Sequence, residues 1–118
     1  MNKSNNVQSD YLNLIIKNNI GIFIISKDTC PLCEKLKDLF DTLEIKYSNF
    51  KYQETDEEKL NNFQFKNEMK HHTNGNFFPF CYFNGSYVGG YKEIHQNLLT
   101  GKLKEQLNDI GLDYEEDF

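Results

Sequence analysis

The 118-residue sequence predicts a three-layer α/β/α protein, a mixed four-stranded sheet flanked by helices. Three observations carry that expectation. A nearly continuous apolar run, Ile20 to Ile25, passes at once into an amphipathic run that ends at Leu43. A strand-like segment, Ile45 to Tyr52, comes next, and a crossover through a helix favours a right-handed parallel pair. Further on, Asn84-Gly85 between apolar residues is a two-residue hairpin signal that adds antiparallel strands.

Each element has its own justification. Val7 to Lys17 carries apolar residues at 7, 11, 12, 14, 15 and 16, an opening helix with Ser9 or Asp10 near its start. Ile20 to Ile25 is β-branched and aromatic, the pattern of a strand buried on both faces. From Pro31 to Leu43, Leu32, Leu36, Leu39, Phe40 and Leu43 fall on one helical stripe. Ile45 to Tyr52 alternates apolar with polar residues and ends in the acidic turn Glu54 to Glu58. Glu57 to Met69 groups Leu60, Phe63 and Met69 as a third helix, and Asn74-Gly75-Asn76 is a turn. Phe77 to Phe83 is an apolar strand interrupted by Pro79, with Tyr87-Val88 pairing back across the hairpin. Lys92 to Leu99 and Gly101 to Ile110 read as two short helices parted at Thr100-Gly101. The expected organisation is one domain over 1–118, with a polar tail at 1–6 and an acidic tail at 113–118 that has little to bury.

Composition narrows the function. A net charge of -5 argues against nucleic acid and anionic membrane surfaces as partners. Arg is absent, so Lys carries every fixed positive charge and no bidentate guanidinium clamp is available. No segment reaches the length of a membrane span, and Met1 to Asp10 is polar rather than signal-like. The expectation is a cytoplasmic protein in a reducing compartment, where a Cys-x-x-Cys pair is catalytic rather than structural.

The chemistry concentrates at Cys30-Pro31-Leu32-Cys33. On a strand-to-helix turn, free backbone N–H groups and the helix dipole stabilise a thiolate, the form that attacks disulfides. Cys30, at the helix threshold, is the expected attacker. Cys33, one turn inside, is the expected resolving thiol. Pro31 suits the first helical position, which needs no N–H. A zinc site would need two further Cys or His ligands; Cys81, His71, His72 and His95 are what the chain offers, and no metal is expected. A structural disulfide across so short a loop gains little closure entropy. Cys81, inside an apolar strand, reads as a small core residue, and His71-His72 as solvated.

Four motifs in order resemble the glutaredoxin family, dithiol type, within the thioredoxin-like fold. Ile25-Ser26-Lys27-Asp28-Thr29-Cys30-Pro31-Leu32-Cys33 resembles its "SKxxCPYC" block, with Leu32 at the usual Tyr. Phe77-Phe78-Pro79-Phe80-Cys81-Tyr82-Phe83 resembles "TVPxVFI", with Phe77 and Phe78 replacing Thr and Val. Asn84 to Gly90 resembles "xGxxIGG", and Leu98 to Leu103 resembles "xxSGEL". The match covers roughly residues 15 to 111.

The resemblance implies glutathione as co-substrate and a glutathione-disulfide oxidoreductase activity. Pro79 would be a cis-proline facing the dithiol, and the backbone of Phe78 would pair with the cysteinyl unit of glutathione. Gly89, Gly90, Tyr91 and Lys92 would receive the γ-glutamyl carboxylate at a helix N-terminus. Lys27 would pair with the glycyl carboxylate and favour the Cys30 anion, with Lys66 as a second contact. Lys92 stands where the family often has Ser, Thr or Asp, with Glu93 at the following acidic position. Expected partners are glutathionylated or disulfide-containing proteins and, indirectly, glutathione reductase, for a monomeric enzyme. Two other readings remain open: a [2Fe–2S] cluster carrier ligated by Cys30 and glutathione, which Pro31 disfavours, and a thioredoxin-type disulfide reductase.

Overall fold

The computed structural model describes residues 15–52, 67–71, 73–75 and 77–114. Four strands, β1 (Ile22–Lys27), β2 (Ser48–Tyr52), β3 (Phe80–Phe83) and β4 (Ser86–Gly89), form one sheet in the order β2-β1-β3-β4. β1 and β2 run parallel, whereas β3 is antiparallel to both β1 and β4. α1 (Pro31–Thr42) follows β1, and α2 (Tyr91–Thr100) and then α3 (Lys102–Asp109) follow β4. Residues 15–18 and 67–71 are also helical. The mixed sheet with flanking helices is the architecture the sequence predicts.

Strand alternation sorts the core into two layers, because successive side chains point to opposite faces. On one face Ile22 and Ile24 of β1 and Cys81 and Phe83 of β3 pack with Leu36 and Phe40 of α1, Ile94 of α2, and Leu103 and Leu107 of α3. On the other, Phe23, Ile25, Phe80 and Tyr82 pack with Ile16 and Met69 from the helical residues 15–18 and 67–71. Both faces of β1 and β3 are therefore covered, which is why Ile22 to Ile25 and Phe80 to Phe83 read as unbroken apolar runs. Burying one such large side chain contributes about 1.5–3 kcal/mol.

Several boundaries move, each for a local reason. β1 begins at Ile22 rather than Ile20, whose side chain is 83% exposed. Gly21 ends the ladder instead: with φ +86 it exchanges bonds with Asn84, donating its N–H to Oδ1 at 2.7 Å and accepting the Asn84 N–H at 2.8 Å. β2 is confined to Ser48–Tyr52, and Ile45 is buried in the connection before it. β3 starts only after Pro79, leaving Phe77 84% exposed. Leu32 does not join the apolar stripe of α1; it is 48% exposed, and Cys33 takes the inward position beside Leu36 and Phe40. The hairpin turn has positive φ at both Asn84 and Gly85, the conformation an Asn-Gly pair favours. Tyr114, near the start of the expected acidic tail, packs against the core, as does Leu112 just before that tail. The expected helical segments 7–14 and 57–66 and the turn residue Asn76 lie outside the described residues.

Candidate functional site

The end of β1 delivers the chain to Cys30, which is the N-cap of α1 with extended backbone (φ -117, ψ 100). Its Sγ accepts the N–H of Cys33 at 3.3 Å, so a sulfur stands where Ser or Asp usually caps a helix. Its carbonyl accepts the first helical bond, from Glu34 N–H at 3.2 Å. Pro31 fills the first helical position, where a missing N–H costs nothing. The cap requirement thus points the Cys30 sulfur at the positive end of α1.

The two thiols differ sharply in surroundings. Cys30 is half-buried, whereas Cys33 is 0% exposed, on the same buried side of α1 as Leu36 and Phe40. Burial, then its hydrogen bond to Cys30, pushes the Cys33 thiol up to about 12, against a backbone hydrogen bond from Lys27 and the charge of Lys37, which act the other way. Cys33 is therefore a neutral thiol across the physiological range. Cys81 is wholly buried, and that burial pushes its ionisation up as well.

Opposite the dithiol lies the loop that precedes β3. The Phe78–Pro79 peptide bond is cis, and the Phe78 carbonyl oxygen is 4.0 Å from Cys30 Sγ. The Phe78 ring packs edge-on against Phe80 with centroids 4.7 Å apart and tilts against Tyr52 at 5.6 Å. Lys27 Nζ sits over the same ring, 5.4 Å from its centroid. Such a cation–π contact contributes about 0.5–1 kcal/mol at an exposed site and holds the ammonium beside the loop.

Gly89 and Gly90 carry the chain from β4 into α2 against that loop. Gly89 has φ +120, and a Cβ there would meet the Glu93 Cβ at 2.6 Å. Gly90 has an ordinary extended φ of -111, but a Cβ would approach the Pro79 carbonyl oxygen to 2.9 Å. Its N–H donates to Glu93 Oε1 at 2.7 Å. Tyr91 and Lys92 open α2, whose first N–H groups have no partner within the helix. The Tyr91 ring stacks on His95 at 5.5 Å, with Lys35 Nζ 5.9 Å from its centroid, and Lys92 is exposed.

Contacts therefore link Cys30 to Phe78, Phe78 to Lys27, Pro79 to Gly90, and Cys33 to Cys30. Tyr91 and Lys92 follow Gly90 directly. Lys66 lies outside the described residues. Sequence reasoning placed Glu93 among the ligands' neighbours and missed its bond to the backbone; the legible signal was a Glu at the third helical position after an N-cap glycine, half of a capping box, since glycine has no side chain to return the bond. Lys35 over Tyr91 was missed too, since nothing in sequence spacing ties α1 to α2. Among the described residues, no cluster of three or more His, Cys, Asp or Glu is placed to hold a metal, and no helix is long and apolar enough to cross a membrane.

The fold and site define a class: a thioredoxin-like α/β chain with a Cys-x-x-Cys at the first strand–helix junction and a cis-proline loop facing it. The glutaredoxin family model matches residues 22–88, more than half of the chain, and the chain belongs to the glutaredoxin family. Among solved structures it is similar to a buckwheat glutaredoxin in complex with glutathione, at 19% identity and TM-score 0.77, covering 94% of this chain and 96% of that one. It is also similar to the holo form of poplar glutaredoxin C1, at 16% identity and TM-score 0.79, covering 97% and 98%. The dithiolic glutaredoxin 2-C-Grx1 of Trypanosoma brucei brucei aligns at 21% identity and TM-score 0.64, over 81% of this chain and 94% of that one. Identities this low establish a shared fold. No curated protein sequence matches significantly.

Proposed function

We propose that this protein is a dithiol glutaredoxin, a glutathione-dependent thiol–disulfide oxidoreductase. The observation that carries the reading is the asymmetry of the pair: Cys30 is half-buried and held by an N–H donor, and Cys33 is sealed and neutral. The Cys30 thiolate attacks the glutathione sulfur of a mixed disulfide, forming a Cys30–glutathione disulfide. The target leaves as a thiolate and takes a proton. A second glutathione thiolate then attacks the glutathione sulfur of that adduct, releasing oxidised glutathione and restoring the Cys30 thiolate. With a protein disulfide, Cys30 captures one target sulfur, Cys33 attacks Cys30 as its proton is lost, and the target leaves reduced.

The geometry supports a docking mode for glutathione. The Phe78 backbone beside Cys30 suits the cysteinyl unit, and Lys27 suits the glycyl carboxylate. The Tyr91 and Lys92 N–H groups at the start of α2, with the Lys92 charge, suit the γ-glutamyl carboxylate. The buckwheat relative in complex with glutathione points the same way. Glutaredoxin potentials of about -200 to -230 mV lie near the cytosolic glutathione poise, so the exchange would be reversible in a reducing, cytosol-like compartment.

The test is a coupled assay with glutathione, glutathione reductase and a small disulfide. Turnover that saturates with glutathione is expected. Absent turnover, with efficient reduction of the oxidised protein by a thioredoxin reductase, would replace the assignment with a thioredoxin-type role. Visible absorbance in anaerobically purified protein would instead favour a cluster carrier.

A further inference from the structure

We infer that Glu93 is a positioning residue, whose carboxylate clamps the Gly89–Gly90 turn and so sets the glutathione cradle, rather than a ligand of the substrate. The inference rests on the glutathione reading above. Its basis is local and geometric. Glu93 Oε1 accepts the Gly90 N–H at 2.7 Å, so this carboxylate oxygen is turned back onto the backbone. The same side chain runs directly beneath Gly89: an added Cβ there would lie 2.6 Å from Glu93 Cβ, 2.7 Å from Cγ and 3.0 Å from Oε1. Gly90 is in turn pressed on the Pro79 carbonyl, where an added Cβ would come to 2.9 Å.

Glu93 thus fastens the turn from one side while the Pro79 loop bounds it on the other. The remaining helix-opening donors, the N–H groups of Tyr91 and Lys92, are left for an incoming anion. Their direction depends on the turn that precedes them. Positioning of this kind needs an acceptor at Oε1, and a neutral amide supplies one as well as a carboxylate. A ligand that bound the substrate ammonium would need the negative charge. That difference separates the two roles.

Glu93→Ala and Glu93→Gln are compared by two measurements on the full-length protein. The first is amide hydrogen exchange at Gly90 without glutathione. The second is the glutathione dependence of turnover. Loss of a charge-assisted backbone bond should speed Gly90 exchange by about tenfold in Glu93→Ala and raise the half-saturating glutathione concentration by a similar factor. Turnover at saturation should stay within about twofold. Glu93→Gln should recover the larger part of both readouts, because its side-chain oxygen accepts the same N–H, though without the charge. Gly90 exchange unchanged in Glu93→Ala overturns the clamp. A Glu93→Gln variant as impaired as Glu93→Ala in glutathione dependence, with Gly90 still protected, also overturns it and assigns Glu93 to the ligand. A wild type whose turnover ignores glutathione refutes the function reading instead, and the exchange data then judge the clamp alone.

Discussion

Gly90→Ala is the most incisive single-methyl perturbation of this fold. The backbone φ of -111 is open to any residue, so the substitution carries no conformational strain of the left-handed kind. What forbids it is position. The new Cβ would stand 2.9 Å from the Pro79 carbonyl oxygen, about 0.5 Å inside ordinary contact. That oxygen belongs to backbone beside a buried proline that leads straight into β3, so it cannot swing aside as a side-chain tip would. Either α2 or the Pro79 loop must retreat. Overpacking of this kind typically costs about 1–3 kcal/mol. The retreat would also widen the gap between the Phe78 backbone and the α2 N-terminus, so half-saturating glutathione should rise several-fold. Gly101→Ala is the counterpart: it has φ +86 with nothing within 4 Å of an added Cβ. It should cost about 1–2 kcal/mol from backbone strain alone and leave the glutathione dependence untouched. Urea unfolding and the coupled turnover assay read both effects. Gly90→Ala with wild-type stability and wild-type glutathione dependence would refute the packing argument.

The remaining predictions concern charge and sulfur. Cys30→Ser should abolish reduction of glutathione mixed disulfides, and Cys33→Ser should retain it while losing reduction of protein disulfides; equal losses in turnover assays would sink the monothiol route. Limiting alkylation of the native reduced protein near pH 8 should label Cys30 and spare buried Cys33 and Cys81, as peptide mass mapping would show. Because folding raises the Cys33 ionisation from 9.0 to about 12, its contribution to stability is whole below about pH 9 and fades as pH rises towards 12. Cys33→Ala should therefore flatten the alkaline fall in stability of the reduced protein, measured by urea unfolding at stepped pH. Lys27→Ala should raise half-saturating glutathione by roughly tenfold, the lower end of a charge-assisted contact, since the ammonium is exposed.

Legibility from sequence followed the physics of each signal. β1 and β3 were readable because burial on both faces leaves no polar residue between Ile22 and Ile25 or between Phe80 and Phe83 to blur the run. The Asn84-Gly85 turn was readable because few residues accept two positive φ values in succession. The junction at Cys30 was readable from Pro31 and the helical stripe behind it. Leu32 misled because helical spacing says which residues share a face but not where along the helix that face runs out of neighbours; Leu36 and Phe40 are covered, and Leu32 at the start of α1 is not. Phe77 misled because apolarity alone does not reveal where a strand loses its partner. The constraint at Gly90 has no local signal: the positive φ belongs to Gly89, and at Gly90 the barrier is a carbonyl from a loop that arrives eleven residues earlier. Tertiary neighbours such as Lys35 with Tyr91 leave no trace in local spacing.

Full enclosure of Cys33 has a kinetic corollary. A buried sulfur meets no outside molecule, so the reaction open to it is with whatever Cys30 already holds. Its rate is then first-order, blind to how much target surrounds the protein. In the proposed reaction glutathione would compete for the same adduct from solution, at a rate proportional to its concentration. The lifetime of a captured target would accordingly be set by the protein when glutathione is scarce and by the cell's thiol supply when it is plentiful, which makes the enclosed sulfur an internal clock running against an external one.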